Sequence, residues 1–263
     1  MAFKRLRKGK TIESEKAFEI SLIARKKTEE AVKFQNLSLM KLSEESEETA
    51  EEIRSSGYYL LRASSDINDY LGAVAGKYSL SPVKIELSDF LAMFCEKAEP
   101  FLIKKGFAVL RNIPVKNVFI EADAEKLLGV LANLVRNSME NSSAGSRIRL
   151  SLSVTKKFAK ITVGDKGFGM DEETAEHCFE PFFGKTVGRK NKMGLGLTLA
   201  RHFAEESGGR MNIRTEKGKG TAVSLLLPLM EESTKVAVEA SVSEIFGERN
   251  HLLEIAFADI ETQ

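Results

Sequence analysis

Four short stretches hold the residues able to do chemistry. Asn133 and Asn137 stand one helical turn apart in Asn133-Leu-Val-Arg-Asn137-Ser-Met-Glu-Asn141, so both carboxamides share a face. An asparagine cannot take a proton, but its carbonyl oxygen is a hard donor. Mg²⁺ accepts such oxygens and is commonly held by few protein groups together with phosphates and waters. Asp165-Lys-Gly167-Phe-Gly169 follows a strand pattern and places a carboxylate acceptor at the strand end. Phe179-Glu-Pro-Phe-Phe183 opens a loop with four cations, Lys185, Arg189, Lys190 and Lys192. Met193-Gly194-Leu195-Gly196-Leu197 leads into a helix, whose first turn has N–H groups free to seat a phosphate. Eleven of the 19 glycines lie between Gly164 and Gly220, which marks backbone at positive φ or in close approach to a ligand. Each feature alone has an ordinary reading: a turn aspartate, a solvated basic loop, a surface asparagine on a helix. In one chain they describe a seat for a phosphorylated ligand.

The elements that must hold these residues follow from composition and pattern. The chain has 263 residues and 43% apolar content, enough for a buried core in one large domain or two modest ones. With 39 Lys+Arg against 38 Asp+Glu, the net charge of +1 gives no global case for nucleic acid. Two cysteines, Cys95 and Cys178, make no disulfide framework and suit a reducing compartment. No apolar run approaches the roughly 20 residues of a membrane span, and the basic N-terminus leads into no apolar stretch. A cytoplasmic protein without a membrane span is expected.

The chain divides into four. Residues 1–14 are a basic segment. Residues 15–80 are rich in Glu, Lys, Ser and Leu and free of proline until Pro82, which reads as helix. Ile53, Leu60, Ile67 and Val74 recur every seven residues, a heptad-like stripe, and Ile20, Ile23, Phe34 and Leu37 form a weaker one upstream. Glu44-Glu45-Ser46-Glu47-Glu48 falls between them as a solvated turn. An antiparallel helical hairpin results, and pairing with a second copy into a four-helix bundle would cover its open apolar face. Residues 81–230 mix helices with short hairpin-linked strands, so the class is α+β rather than a doubly wound parallel sheet. Expected helices include Asp89 to Lys105, one beginning at an Asp123 cap, and Leu195 to Glu206. Expected strands include Val118 to Ile120, Arg147 to Val154, Ala159 to Val163, Met211 to Arg214 and Ala222 to Leu227. Residues 231–263 form an acidic tail with short helices near Val242 to Phe246 and Leu252 to Ala256.

In order and spacing, the four stretches resemble the N, G1, F and G2 boxes of the histidine-kinase catalytic domain, a member of the GHKL ATPase superfamily. Gly218-Lys-Gly220-Thr221 before the last strand matches a fifth feature of that family. The resemblance covers about residues 80–230 and implies an α/β sandwich that binds ATP and Mg²⁺. It implies Asn137 as the Mg²⁺ ligand, supported by Asn133. It implies Asp165 as the acceptor for the adenine amino group, Gly167 and Gly169 wrapping the base, and Thr221 joining the adenine-side network. Gly194, Leu195, Gly196 and Leu197 would carry the phosphates, under a lid holding Lys185, Arg189 and Lys192. In the gyrase and MutL-like branches a Glu stands where this chain has Asn133. Without that base, transfer to another acceptor is favoured over hydrolysis.

The hairpin departs from the family. The acceptor histidine, with a proline five positions on, is expected at roughly residues 24–34. Those residues are Ala24-Arg-Lys-Lys-Thr-Glu-Glu-Ala-Val-Lys-Phe34, with neither His nor Pro. The three histidines, His177, His202 and His251, all lie later. The expectation is a dimeric histidine-kinase-like protein of two-component or phosphorelay signalling, working with a response regulator or other signalling protein. The alternative is a pseudokinase scaffold that uses ATP binding to control a partner.

Overall fold

The computed structural model describes residues 12–42, 47–114, 117–183, 193–230 and 241–257. Helix α1 (Ile12–Leu42) and helix α2 (Glu47–Ala75) pack antiparallel along their lengths. Two glycines let them close. A Cβ on Gly57 would stand 3.2 Å from Val32, and one on Gly72 would stand 2.9 Å from the Phe18 ring. Between these contacts Ser21 Oγ donates to Asn68 Oδ1 at 3.1 Å, so two buried polar groups satisfy each other.

The second unit is built on a five-stranded sheet in the order β2-β4-β5-β7-β6, with β2 and β4 parallel and the other neighbours antiparallel. Its strands are β2 (Ala108–Asn112), β4 (Arg147–Val154), β5 (Phe158–Gly164), β6 (Arg210–Glu216) and β7 (Gly220–Pro228). A separate pair, β1 (Val83–Glu86) and β3 (Phe119–Ala122), is antiparallel. Alternation gives the sheet two faces. Leu150, Val163 and Val223 align across three strands, as do Leu152, Ile161 and Leu225, and all are buried. Helices α3 (Leu87–Lys104), α4 (Ala124–Glu140) and α6 (Gly196–Glu206) cover this face, and a short helix α5 (Glu172–His177) lies between α4 and α6 in sequence. Asp123 caps α4 by accepting from Lys126 N at 3.0 Å, as its position before the apolar stripe predicts. Expected boundaries move by two residues or fewer for most elements. The strand expected at Val118 to Ile120 becomes Phe119–Ala122, set by its pairing with β1.

The tail expectation needs correction. In place of two short helices, the structure has one helix, α7 (Val242–Phe257). Ile245, Phe246, Leu253 and Phe257 are buried on one side of it, against α3 and α4. Phe246 stands 5.1 Å from Phe90 and Phe257 stands 6.0 Å from Phe101, ring centre to ring centre. The polar run Glu248 to His251 reads as a break in sequence, but positions 246, 253 and 257 keep helical spacing across it. The tail is thus part of the core. Phe246→Ala is expected to lower stability by about 3–5 kcal/mol, read by thermal or denaturant unfolding. A loss under about 1 kcal/mol would show that α7 is an accessory.

Hairpin and sheet unit are joined at several points. Lys126 Nζ on α4 reaches both oxygens of Asp69 on α2, at 2.7 and 2.6 Å. The Tyr78 ring packs on buried His202, 4.7 Å between centres. Glu254 on α7 accepts from Tyr58 on α2 at 3.5 Å.

Candidate functional site

Two adjoining clusters hold the residues singled out in sequence. The first lies where β5 ends. Asp165 Oδ1 accepts from Gly167 N at 2.9 Å and from Thr221 N at 3.1 Å. The Thr221 hydroxyl meets that of Thr215 at 2.9 Å, and Thr215 also accepts from Met170 N at 2.9 Å. Phe168 N donates to Asn141 O and Gly218 N to Phe168 O, so the loop after Asp165 is pinned between the end of α4 and the β6–β7 turn. The two glycines here are packed against other parts of the chain. A Cβ on Gly167 would lie 1.9 Å from the Asn141 carbonyl oxygen, and one on Gly169 would lie 2.0 Å from that of Glu216. Both are required by chain packing on chain, and at Gly169 the φ of +63° adds a second reason.

The second cluster is a cavity. Asn133, Asn137 and Asn141 line it from α4, Gly194, Leu195, Gly196 and Leu197 line it from the start of α6, and Met170 and Phe183 close one side. Gly196 sits so close to α4 that a Cβ would fall 2.3 Å from Asn133 Oδ1. The Asn133 Nδ2 group is buried and has no hydrogen-bond partner among the described residues, as is the case for the Ser142 hydroxyl. Buried polar groups are ordinarily paired, so an orphan donor beside a glycine-built cradle marks a place for a ligand atom. The Asn141 amide is not available in the same way, because it donates to Asn137 O at 2.6 Å. Buried Arg136, also on the cavity wall, is paired with Glu140 at 2.7 Å and donates to Ala256 O at the end of α7 at 3.1 Å. A cation at a helix C-terminus is favourably placed.

The cavity thus collects Asn133, Asn137, Gly194, Leu195, Gly196 and Leu197. Asp165, Gly167, Gly169 and Thr221 adjoin it through Asn141 and Met170. Lys185, Arg189 and Lys192 lie outside the described residues. Among the described residues no three His, Cys, Asp or Glu side chains gather as a metal cage. The lining includes amide and carboxylate residues, whose oxygens are the hard donors a phosphate-bound Mg²⁺ accepts.

Two groups of site residues had no counterpart in the sequence reading. Thr215 carries no signal of its own in an alternating strand. Tyr59, Arg62, Ala63 and Asp66 supply a second wall of the cavity from the hairpin. Their spacing of three, four and seven puts them on one face of α2, away from the heptad stripe.

Asp66 titrates unusually. Burial against this wall raises its pKa from the ordinary 3.8 to about 7, the charge of Asp69 pushes the same way, and Lys126 opposes. The folded chain then keeps a proton that the unfolded chain has released. The associated stability is complete below 3.8 and is lost as pH rises through about 7. Asp66→Asn is expected to melt like the wild type at the acid end, to gain on it as pH rises from about 4 to about 7, and to keep that advantage unchanged at higher pH. A melting difference that does not change with pH would contradict this.

The histidines do not enter either cluster. His177 is exposed and paired with Glu180 Oε1 at 2.9 Å, which raises its pKa; His202 is buried under Tyr78. The side chain of His251 lies outside the described residues.

Residues 122–231, which contain both clusters, match the family model of the histidine kinase-, DNA gyrase B- and HSP90-like ATPases. These residues form a domain of that GHKL ATPase family. The chain's similarity to the sensor histidine kinase WalK of Bacillus subtilis is 27% identity over 160 residues, 59% of this chain and 26% of that one. The adaptive-response sensory kinase SasA of Prochlorococcus marinus is 25% identical over 202 residues, 76% of this chain and 51% of that one. The chain thus spans a quarter to a half of the length of these relatives. Among solved structures, full-length ShkA in complex with AMPPNP superposes with a TM-score of 0.65 at 21% identity, over 84% of this chain and 47% of that one. The histidine kinase AdeS of Acinetobacter baumannii superposes at 0.56 with 14% identity, over 78% and 96%. Both share the fold. The match agrees with the histidine-kinase-like ATPase domain expected from the sequence, and the relatives do not favour a pseudokinase scaffold.

Proposed function

We propose that this chain binds Mg-ATP in the cavity between α4 and α6 and transfers the γ-phosphoryl group to a histidine or aspartate of a separate signalling protein. The observation that carries the reading is the pairing of Asn133 and Asn137 with the Gly194–Gly196 turn, where a buried amide has no hydrogen-bond partner among the described residues. The N-terminus of α6 offers free N–H groups to the phosphates. Asn137 presents an oxygen for Mg²⁺, which when bound neutralises phosphate charge. Asp165 has one oxygen held by Gly167 and Thr221, leaving the other for the adenine amino group. Asn133 cannot act as a base towards water, so hydrolysis gains no general-base assistance from it. With no histidine in the first 176 residues, the hairpin cannot serve as its own histidine acceptor.

Incubation of the full chain with γ-labelled ATP, alone and with candidate response regulators and phosphotransfer proteins, tests the proposal. Label is expected on the added protein, in an acid-labile form. ATP binding with no label on any candidate would remove the kinase reading and leave the binding site.

The hairpin also supports self-association. Ile20, Ile23, Leu60 and Ile67 are 66%, 60%, 54% and 39% exposed on its outer side, a row of apolar side chains that water does not favour. The expected partner is a second copy, giving a four-helix bundle. Leu60→Asp with Ile67→Asp is expected to convert a dimer to a monomer in light scattering without altering the helical signal. A wild type that is monomeric at high concentration would contradict it. Among the described residues no helix is long and apolar enough to cross a membrane.

A further inference from the structure

The hairpin wall of the cavity suggests a role beyond that of a dimer platform. Tyr59, Arg62, Ala63 and Asp66 point from α2 into the same space as Asn133, Asn137 and the Gly194–Leu197 turn. The face continues along α2 to Tyr70, whose ring meets the edge of Phe182 at 5.2 Å between centres. Phe182 is itself unusual. Its φ is +64°, a conformation bulky residues rarely adopt, and its N–H donates to Gly194 O at 2.9 Å. The hairpin therefore touches the phosphate turn indirectly, through Tyr70, Phe182 and Gly194, and faces the cavity directly through Arg62.

Arg62 lies with its guanidinium 5.5 Å from the centre of the Tyr59 ring, which restricts where the group can swing. A guanidinium is permanently charged and presents N–H donors in a fork suited to phosphate oxygens. Arg62 lines the same cavity as the turn that opens α6. We propose that Arg62 is a nucleotide ligand supplied by the hairpin, taking the polyphosphate of the bound nucleotide, so that nucleotide binding fastens the hairpin to the catalytic unit. This rests on the ATP reading of the cavity and adds the hairpin as a second binding element. It also gives the hairpin a way to signal: any input that moves α2 withdraws a phosphate ligand, and occupancy by nucleotide opposes that movement.

Titration of the full chain with ATP and with adenosine tests the proposal, on wild type, Arg62→Ala, Arg62→Lys and Asn137→Ala. Arg62→Ala is expected to weaken ATP binding about tenfold while adenosine binding changes less than about twofold. Arg62→Lys is expected to recover part of the loss, because charge is kept and the fork is not. Equal weakening of ATP and adenosine would assign Arg62 a packing role only and overturn the proposal, as would unchanged ATP binding. If wild type binds no ATP, or Asn137→Ala binds it as wild type does, the reading of the cavity itself falls. Thermal melting of each variant without nucleotide separates loss of a ligand from loss of fold.

Discussion

Asp165→Asn is expected to reduce ATP binding by at least about 100-fold, roughly 2.7 kcal/mol, while leaving the fold in place. The two halves of this expectation come from the two oxygens of one carboxylate. Oδ1 accepts from Gly167 N and Thr221 N, and those bonds hold the loop after β5 to the start of β7. An asparagine keeps an oxygen there, so the loop keeps its anchors. The second oxygen has no hydrogen-bond partner among the described residues and is the acceptor left for the adenine amino group. In asparagine that position becomes an N–H₂ group, and donor faces donor. A site built around a specific hydrogen bond rejects a mismatched group far more strongly than an apolar pocket rejects a changed methylene. Calorimetry with ATP and a melting curve on the same sample are sufficient. A variant that unfolds would place the value of Asp165 in the loop, and one that binds ATP as wild type does would remove it from the site.

Gly196→Ala is the second large effect, and it has a built-in control. The added Cβ would stand 2.3 Å from Asn133 Oδ1 and 2.6 Å from Nδ2. The asparagine, packed at the interface of two helices, must be displaced, or α6 must move away from α4. Either shift breaks the arrangement of amide and helix N-terminus proposed to hold the phosphates, and a melting temperature several degrees lower is expected with loss of ATP binding. Combining Gly196→Ala with Asn133→Ala removes the colliding carboxamide. The double variant is expected to regain most of the melting temperature and none of the ATP binding. Non-additivity of this kind is expected of residues in direct contact. Additive melting losses would show that the glycine is needed for a different reason.

The sequence made the binding machinery legible because its parts are local. A glycine pair before a helix, two asparagines one turn apart and an aspartate at a strand end each state their geometry within a few residues. The cavity gathers Asn133, Asn137 and the Gly194–Leu197 turn as that local reading implies. What lay beyond it depends on distant packing. Gly167 and Gly169 read as backbone wrapped about a ligand, yet Asn141 and Glu216 carbonyls occupy the space their side chains would need. Neither contact can be inferred without knowing that the loop is pinned between α4 and the β6–β7 turn. The hairpin wall was hidden for a similar reason. Arg62 and Asp66 share a helix face with nothing apolar to mark it, and only docking of α2 across the cavity gives that face a meaning. In the tail, a polar run concealed the continuity of α7, because Phe246, Leu253 and Phe257 find their partners on α3 and α4 rather than among near neighbours.

One difference from typical histidine kinases stands at both levels. The residues of α1 from Ala24 to Phe34 include no histidine, and the described helix runs through them without interruption. The hairpin helices are present, and residues 15–80 contain no histidine. That combination directs attention to a partner molecule as acceptor, and to the hairpin as the element that controls access to nucleotide.

The central claim is that the cavity between α4 and α6 is a Mg-ATP site. Calorimetric titration of the full chain with ATP, in the presence of Mg²⁺ and again with a chelator, tests it most directly. The account predicts saturable one-site binding that weakens when Mg²⁺ is removed and disappears in Asn137→Ala. Absence of binding in both conditions, or binding that Asn137→Ala leaves unchanged, would contradict it.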